Sequence, residues 1–487
     1  MLAIMARSMY NNNGILCKQT RESVVNGMAP EAKRPMYDML MRAARRMSMH
    51  MPGHKGTSPF GAMTEAYMLD TTEIPLTDDL YCPEGAIDEA QQLYQKAAGA
   101  GASIFLHNGS TSGVHVMLQL WAREGDVVLL ARNAHLSAVN ACIMGGLHVR
   151  WIPVRQTEDG YCFVDEEDVL EALRQHPDAK AVLLTRPDYY GGCIPMQRII
   201  AAAHAQGTRV IVDEAHGAHL PWSDAVASSG ALGADAWTQS THKTIPGMTA
   251  SAVLHLRDER DRAHALRLLR REQTSSPSFL LMLSIDDARA WMEQSGREGL
   301  RAVAAAADEL RAALPSLGYR DAQAAWAATG YAFDPTRLVI EAPQGGKSLA
   351  ASLAACGVDV EMTDDRRAVL ILSAADDPEN IRRLAEVLRD IPTYDASGSF
   401  AGSMRFPQPQ RVMEVRRAAM ADCEWVSLDR AQGRIAAQSA GLYPPGVPLV
   451  CPGESIGEDV INMLGQVKNR ERFGMEGDCL LCVRNDV

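Results

Sequence analysis

The chain has 487 residues, enough for about three domains, and its 47% hydrophobic and 22% charged residues are those of an ordinary globular protein. A net charge of −12 disfavours a nucleic-acid or anionic-membrane partner. No apolar run approaches the roughly 20 residues that span a bilayer.

The first stretch, "MLAIMARSMYNNNGILCKQTRE", lacks an apolar core followed by a small-residue cleavage site, so it reads as a tail over residues 1–30 and not as a secretion signal. Residues 31–61 read as an N-terminal arm. From about Ala62 to Arg257, short apolar strands alternate with helical patterns. The strands are "VVLLAR" (127–132), "HVRWIPV" (148–154), "AVLLTR" (181–186), "RVIVDEA" (209–215) and "ASAVLHL" (250–256). Helix-like stretches such as "SGVHVMLQLWAREG" and "MQRIIAAAHAQG" lie between them, each running to a glycine as a C-cap would. The alternation predicts a mostly parallel sheet covered on both faces, with ligands at the C-terminal ends of its strands.

A large domain over 62–300 is followed by the alanine-rich helix "LRAVAAAADELRAAL". "TRLVIEA", "KSLAASLAACG" and "AVLILSA" then predict a smaller α/β domain over 301–393. The turn-rich "TYDASGSFAGS" reads as a linker into a C-terminal α+β domain over 394–487, which contains the proline-dense "LYPPGVPLVCPGE". The ten cysteines show no framework of spacings, which predicts reduced thiols and a cytoplasmic location. Cys479 and Cys482 have no second pair to complete a zinc site and read as two thiols of one strand. "GGKS" (345–348) is no phosphate loop, because position 341 is Glu341 where glycine is required.

Three strand-end loops carry the candidate chemistry. In "HNGSTSGVHVML", Gly109 to Gly113 open a helix, where small residues and exposed N–H groups suit an anion. In "VDEAHGAH", Asp213 ends an apolar strand with His216 and His219 close behind; an isolated carboxylate there needs a cationic partner. In "QSTHKTIPG", Lys243 stands at the third strand end, where an ammonium must be paired, neutralised or chemically used. Zinc would explain the histidines and leave Lys243 and the glycine loop idle. Pyridoxal phosphate needs all three loops: a lysine for an imine, a carboxylate for the pyridine nitrogen and donors for the phosphate. No metal is expected.

The blocks "HMPGHKG", "TDDLYCPEGAIDEAQ", "FLHNGSTSG", "TRPDYYG", "DEAHGAH", "QSTHK", "QTSSPSFLLMLSIDDARA" and "YPPGVPLVCPGE" resemble the fold type I, pyridoxal-phosphate-dependent ornithine/lysine/arginine decarboxylases, in the short bacterial form without a wing domain. The resemblance implies an aspartate-aminotransferase-like α/β fold with a large, seven-stranded type of sheet. It implies Lys243 as the imine lysine, Asp213 at the pyridine nitrogen, Ala215 beneath the ring and His216 at the phenolic oxygen. His135 would stack on the ring, and Ser110, Thr111, Ser112, Ser240 and His242 would hold the phosphate. The implied reaction is decarboxylation of arginine, lysine or ornithine to a polyamine precursor. Glu454, Asp79 and Glu84 are candidates for the substrate's distal cation. The loop with Thr274, Ser275 and Ser276 would reach the site of a partner in a homodimer, or in a higher oligomer built from it.

One position departs from the family. Relatives read H-K-S where this chain has His135, Leu136 and Ser137, which removes a charge beside the cofactor. Transamination or acyl transfer on the same cofactor, and a cofactor-binding regulator without turnover, are the alternatives.

Overall fold

Seven strands of five residues each build the central sheet of the computed structural model, which describes residues 32–393, 405–443, 446–467 and 471–484 apart from 47, 48, 50, 53, 59, 60 and 62. They are β1 (Ala102–Leu106), β2 (Val127–Ala131), β3 (His148–Ile152), β4 (Ala181–Thr185), β5 (Arg209–Asp213), β6 (Ala236–Ser240) and β7 (Ala252–Leu256). Their order is β1-β7-β6-β5-β4-β2-β3. Only β7 runs against the others. Side chains alternate between faces with period two, so Val182 and Leu184 of β4 join one hydrophobic cluster while Ala181 and Leu183 join the other.

Helices cover both faces. Helices α1 (Pro35–Ala44) and α2 (Ala86–Ala98) lie on the first; α3 (Gly109–Trp121) and α4 (Leu136–Gly145) lie on the second. Further along the chain, α5 (Glu166–Gln175) and α6 (Gln197–Ala205) join the first face, α7 (Arg262–Glu272) the second, and α8 (Phe279–Trp291) the first. Strands β2 and β4, covered on both faces, are buried at four of their five residues, which is why they read as apolar runs.

Strand β6, "AWTQS", is equally buried yet half polar, and the side chains of Thr238, Gln239 and Ser240 find partners sideways. Gln239 Nε2 donates to Glu214 Oε1 at 2.6 Å, its Oε1 meets His255 Nε2 at 3.1 Å, and His255 Nδ1 meets Ser103 Oγ at 2.8 Å. Burial pushes the His255 imidazole down to about 3, so the ring is a neutral link in this chain.

The two helix ends differ from the glycine-capped expectation in one case. Helix α6 ends as expected, with Gly207 at φ +82°. Helix α3 stops at Trp121, because Ala122 is already extended and the Arg123 guanidinium caps the carbonyls of Gln119 and Ala122. Gly125 serves the following turn.

After α8, a π-helical turn (Met292–Gly296) leads without interruption into α9 (Arg297–Ala313). The expected boundary at 300/301 therefore falls inside a helical rod, because nothing in the alanine-rich sequence breaks it. Beyond it, β8 (Arg320–Asp321), β9 (Arg337–Glu341), β10 (Met362–Thr363) and β11 (Arg367–Ile371) form an antiparallel sheet in the order β8-β9-β11-β10. Helices α9, α10 (Gly346–Ala355) and α11 (Pro378–Asp390) share one core with this sheet. At the "GGKS" segment a Cβ on Gly346 would lie 2.0 Å from the Arg367 carbonyl, so this helix start is filled by a neighbouring strand and offers no phosphate cradle.

The C-terminal segment holds two small sheets. One pairs β12 (Cys423–Ser427) with β17 (Cys479–Val483) and β16 (Met475–Glu476), and the other is β14-β13-β15 (Pro448–Val450, Ala440–Leu442, Arg472–Phe473). Cys479 and Cys482 lie in β17, three residues apart and so on opposite faces. The tail over 1–30 lies outside the described residues, as does most of the linker segment.

Candidate active site

Parallel strands end at a common edge, and the register sets Asp213 of β5 beside Thr238 of β6. Two residues further on, β6 ends at Ser240 and a single helical turn carries Thr241, His242 and Lys243 over the same edge. Helix α3 starts there too. Gly113 lets it approach β6, since a Cβ would lie 2.2 Å from Thr238 Oγ1. Gly109 takes φ +68° at the helix start, and its N–H donates to the Ala250 carbonyl at 2.8 Å.

These strand ends bring together most of the expected residues. Lys243 Nζ lies 3.3 Å from His216 Nε2. Burial lowers the Lys243 ammonium below its ordinary value; Asp213 opposes that shift, Arg337 adds to it and Glu361 opposes it. Asp213 is 6% exposed and its Oδ1 accepts from the Ala215 N–H at 3.2 Å. His216 is held well below the usual imidazole range by burial first, then by Lys243, Arg337, His135 and His242. His135 is lowered by burial too, with Asp213 and Lys243 acting on it in opposite directions. As N-cap of α4, its Nδ1 accepts from the Ser137 N–H at 3.2 Å, which fixes the ring.

On the anion side, the Ser240 hydroxyl donates to Ser110 Oγ at 2.9 Å, tying the first turn of α3 to the end of β6. Thr111 is exposed on that turn. Ser112 does not join them: it is buried and its hydroxyl donates to the Gly109 carbonyl at 2.9 Å. His242 Nδ1 donates to the Ser251 carbonyl at 3.1 Å. Its Nε2 can therefore donate to a phosphate only when the ring is doubly protonated.

His219 lies apart, with Nε2 3.1 Å from Asp334 Oδ2. Among the described residues, no three His, Cys, Asp or Glu side chains gather as metal ligands.

The expected substrate contacts fare differently. Glu454 is fully buried, and its Oε2 accepts from Arg132 Nη2 at 3.0 Å and from the Cys451 N–H at 2.7 Å. Arg132 also donates to the carbonyls of Pro448 and Leu449, at 2.7 and 2.9 Å. Glu454 thus clamps the C-terminal segment onto the end of β2, and its expected contact with substrate is withdrawn because its charge is already matched out of reach of solvent.

Asp79 accepts from the Tyr81 N–H at 2.8 Å and stands 3.9 Å from Arg270, while Glu84 is exposed. Among the described residues, none of their polar contacts reaches Lys243, Asp213 or His216. Thr274, Ser275 and Ser276 are exposed in the single chain. The cap of α8 is Ser278, whose side chain accepts from the Leu281 N–H.

Four contributors were not anticipated. Arg337, from the head of β9, is fully buried and its Nη2 donates to His216 Nδ1 at 2.9 Å. Glu361 is exposed near Lys243 and accepts from the Tyr189 hydroxyl, while the Tyr189 ring meets His216 edge-on at 4.8 Å. Gly446, at φ +79°, seals one side: its carbonyl accepts from the Leu136 N–H at 3.1 Å, and a Cβ on it would lie 3.0 Å from His135 Nε2. The only sequence signal for Arg337 is a charged residue at the head of an otherwise apolar strand.

The residues fit pyridoxal phosphate. A lysine amine weakened as a base, a buried carboxylate at the neighbouring strand end and small Ala215 between them accept the ring. The hydroxyls of Ser110 and Ser240, beside a helix N-terminus, are placed where they could donate to a phosphate.

Comparison with known proteins agrees. The sequence model described as "Orn/Lys/Arg decarboxylase, major domain" matches residues 34–329, and that of the corresponding C-terminal domain matches 404–475. An uncharacterized Bacillus subtilis protein, YaaO, is 32% identical over 459 residues, covering 89% of this chain and 94% of its own. An arginine decarboxylase of the same organism is 30% identical over 458 residues, covering 88% and 92%. The structure of the Escherichia coli constitutive lysine decarboxylase superposes with a TM-score of 0.76 at 18% identity, over 93% of this chain and 81% of that one, which shows a shared fold.

Proposed function

This chain belongs to the ornithine/lysine/arginine decarboxylase family of pyridoxal-phosphate-dependent enzymes, and from that premise we propose that it removes the α-carboxylate of arginine, lysine or ornithine as carbon dioxide. The observation that carries the proposal is the pairing of Lys243 Nζ with His216 Nε2 beside Asp213 at adjacent strand ends.

When bound, the cofactor supplies an electron sink for the bond between Cα and the carboxylate. Lys243 would hold the cofactor through its Nζ. Asp213, at the end of β5, would face the pyridine nitrogen and hold a proton on it. Ser110 and Ser240 would hold the phosphate, and His135 and the small Ala215 would flank the ring. Glu361, exposed and held by Tyr189, is the carboxylate this site offers to the distal cation of a basic substrate, a position for which Glu454, Asp79 and Glu84 were the expected candidates.

The test is a product assay on arginine, lysine and ornithine. One of the three is expected to release carbon dioxide and the matching amine without any keto acid. A keto acid product would replace decarboxylation by transamination, and bound cofactor without turnover of any of the three would favour the regulator. We further propose a cytoplasmic homodimer in which the exposed 274–276 loop serves the partner's site. Among the described residues no helix is long and apolar enough to cross a membrane.

A further inference from the structure

Arg337 is a fully buried cation of the site to which the proposed reaction gives no task. A guanidinium carries five N–H donors and no acceptor, so whatever faces it must offer a lone pair. The atom facing it is His216 Nδ1, 2.9 Å from Arg337 Nη2. A neutral imidazole has one N–H, and with Nδ1 accepting, that hydrogen sits on Nε2. His216 Nε2 in turn lies 3.3 Å from Lys243 Nζ.

We propose that Arg337 is a positioning residue that fixes His216 as the Nε2–H tautomer, so that the imidazole donates toward Lys243 Nζ and favours the neutral, nucleophilic amine. An ammonium in that place would turn its own N–H against the imidazole N–H. Addition of Nζ to the cofactor aldehyde forms a C–N bond, and the aldehyde oxygen departs with the two amine hydrogens as water; only the unprotonated amine can begin that step.

The groups around the pair agree with this assignment. His216 faces Lys243, Arg337, His135 and His242, and each of these disfavours a charged imidazole beyond what burial already does. Lys243 faces Asp213 and Glu361, which favour the ammonium, and Arg337, which opposes it. The Arg337 main-chain N–H donates to the Asp334 carbonyl at 3.1 Å, and a Cβ on Gly191 would lie 2.7 Å from Arg337 Cγ, so the stem of the side chain is closely flanked. The side chain has little room to aim elsewhere.

The inference rests on Lys243 being the attachment lysine, and its test reads the imidazole separately from catalysis. The full-length protein is labelled with ¹⁵N-histidine and measured both loaded with pyridoxal phosphate and stripped of it. The His216 signals are assigned by their loss in His216→Asn. Wild type is expected to show a pyridine-like Nδ1 and a pyrrole-like Nε2.

Arg337→Gln keeps a neutral donor and is expected to keep that pattern. Arg337→Met removes the donor and is expected to lose it, with cofactor capture at Lys243 slowed about tenfold or more at neutral pH, as loss of a charged hydrogen bond predicts. A wild-type spectrum with the proton on Nδ1 overturns the proposal even if neither variant folds. So does an Arg337→Met spectrum identical to wild type. Failure of the decarboxylase reading would look different: the Nε2–H pattern present, but no cofactor captured at Lys243, which would end the functional half of the inference and leave the tautomer standing.

Discussion

Replacing Arg132 by methionine tests how the C-terminal segment is fastened beside the site. Arg132 is 3% exposed and Glu454 0%, so the change leaves a buried carboxylate with one backbone N–H and no counter-charge. Breaking one side of a buried pair costs about 3–5 kcal/mol. At about 1.4 kcal/mol per factor of ten, hydrogen exchange at residues 446–456 should accelerate by roughly 10²–10³-fold or more. The excess loss is electrostatic, so Arg132→Met combined with Glu454→Gln should exchange more slowly than Arg132→Met alone.

The pH dependence has a definite sign. Burial already raises the Glu454 carboxyl above its ordinary value, with Arg132 opposing. A carboxyl raised on folding binds more protons folded than unfolded, so its contribution to stability falls as pH rises above the ordinary carboxylate range. Without Arg132 that penalty grows, and the deficit of the variant should shrink on acidification as Glu454 takes up a proton. Exchange within about threefold of wild type at neutral pH, or a double variant no better than the single one, would refute the reasoning.

Asp213→Ala should retain some cofactor while losing orders of magnitude in kcat, measured as carbon dioxide release; a kinetically silent change would remove Asp213 from the mechanism. Glu361→Gln should raise KM for the preferred basic substrate about tenfold or more, with a smaller effect on kcat, if it receives the distal cation; unchanged KM would send that search elsewhere. Leu136→Lys should alter the ranking of kcat/KM among arginine, lysine and ornithine, and identical rankings would make the position neutral. Mixing Lys243→Ala with a disabling change at Ser276, after each parent is shown to dissociate and re-pair, should give about half hybrids and roughly a quarter of wild-type activity; a dead mixture would sink the shared-site dimer.

Much of the large domain was legible because its strands declare themselves locally. The runs at 127–132 and 181–186 are apolar on both faces, and the Asp213 loop follows another apolar strand directly, whereas β6, which leads into Lys243, is half polar and carries no such run. Helix ends were less legible: the side chain of Arg123, not the downstream glycine, closes α3. What stayed hidden depends on partners distant in sequence. Arg337 meets His216 across 121 positions, and Glu454 meets Arg132 across 322. A carboxylate in "CPGE" looks available for a substrate until its own cation is found. The Ser112 hydroxyl turns back onto the Gly109 carbonyl of the helix that it helps to open, a local arrangement that the sequence does not show.

The contact between Gly446 and His135 has a consequence for the order of events during synthesis. About 200 residues separate Lys243 from Gly446, which at ribosomal speed is roughly 10–40 s. Through that interval the first-made strands can pair and their amine can face water, but the piece that lies against His135 has not yet been translated. Cofactor that arrives early meets an open edge, and cofactor that arrives late meets a finished wall. Tight retention of pyridoxal phosphate by ribosome-bound chains should therefore begin only once residues beyond the β13–β14 turn have left the exit tunnel.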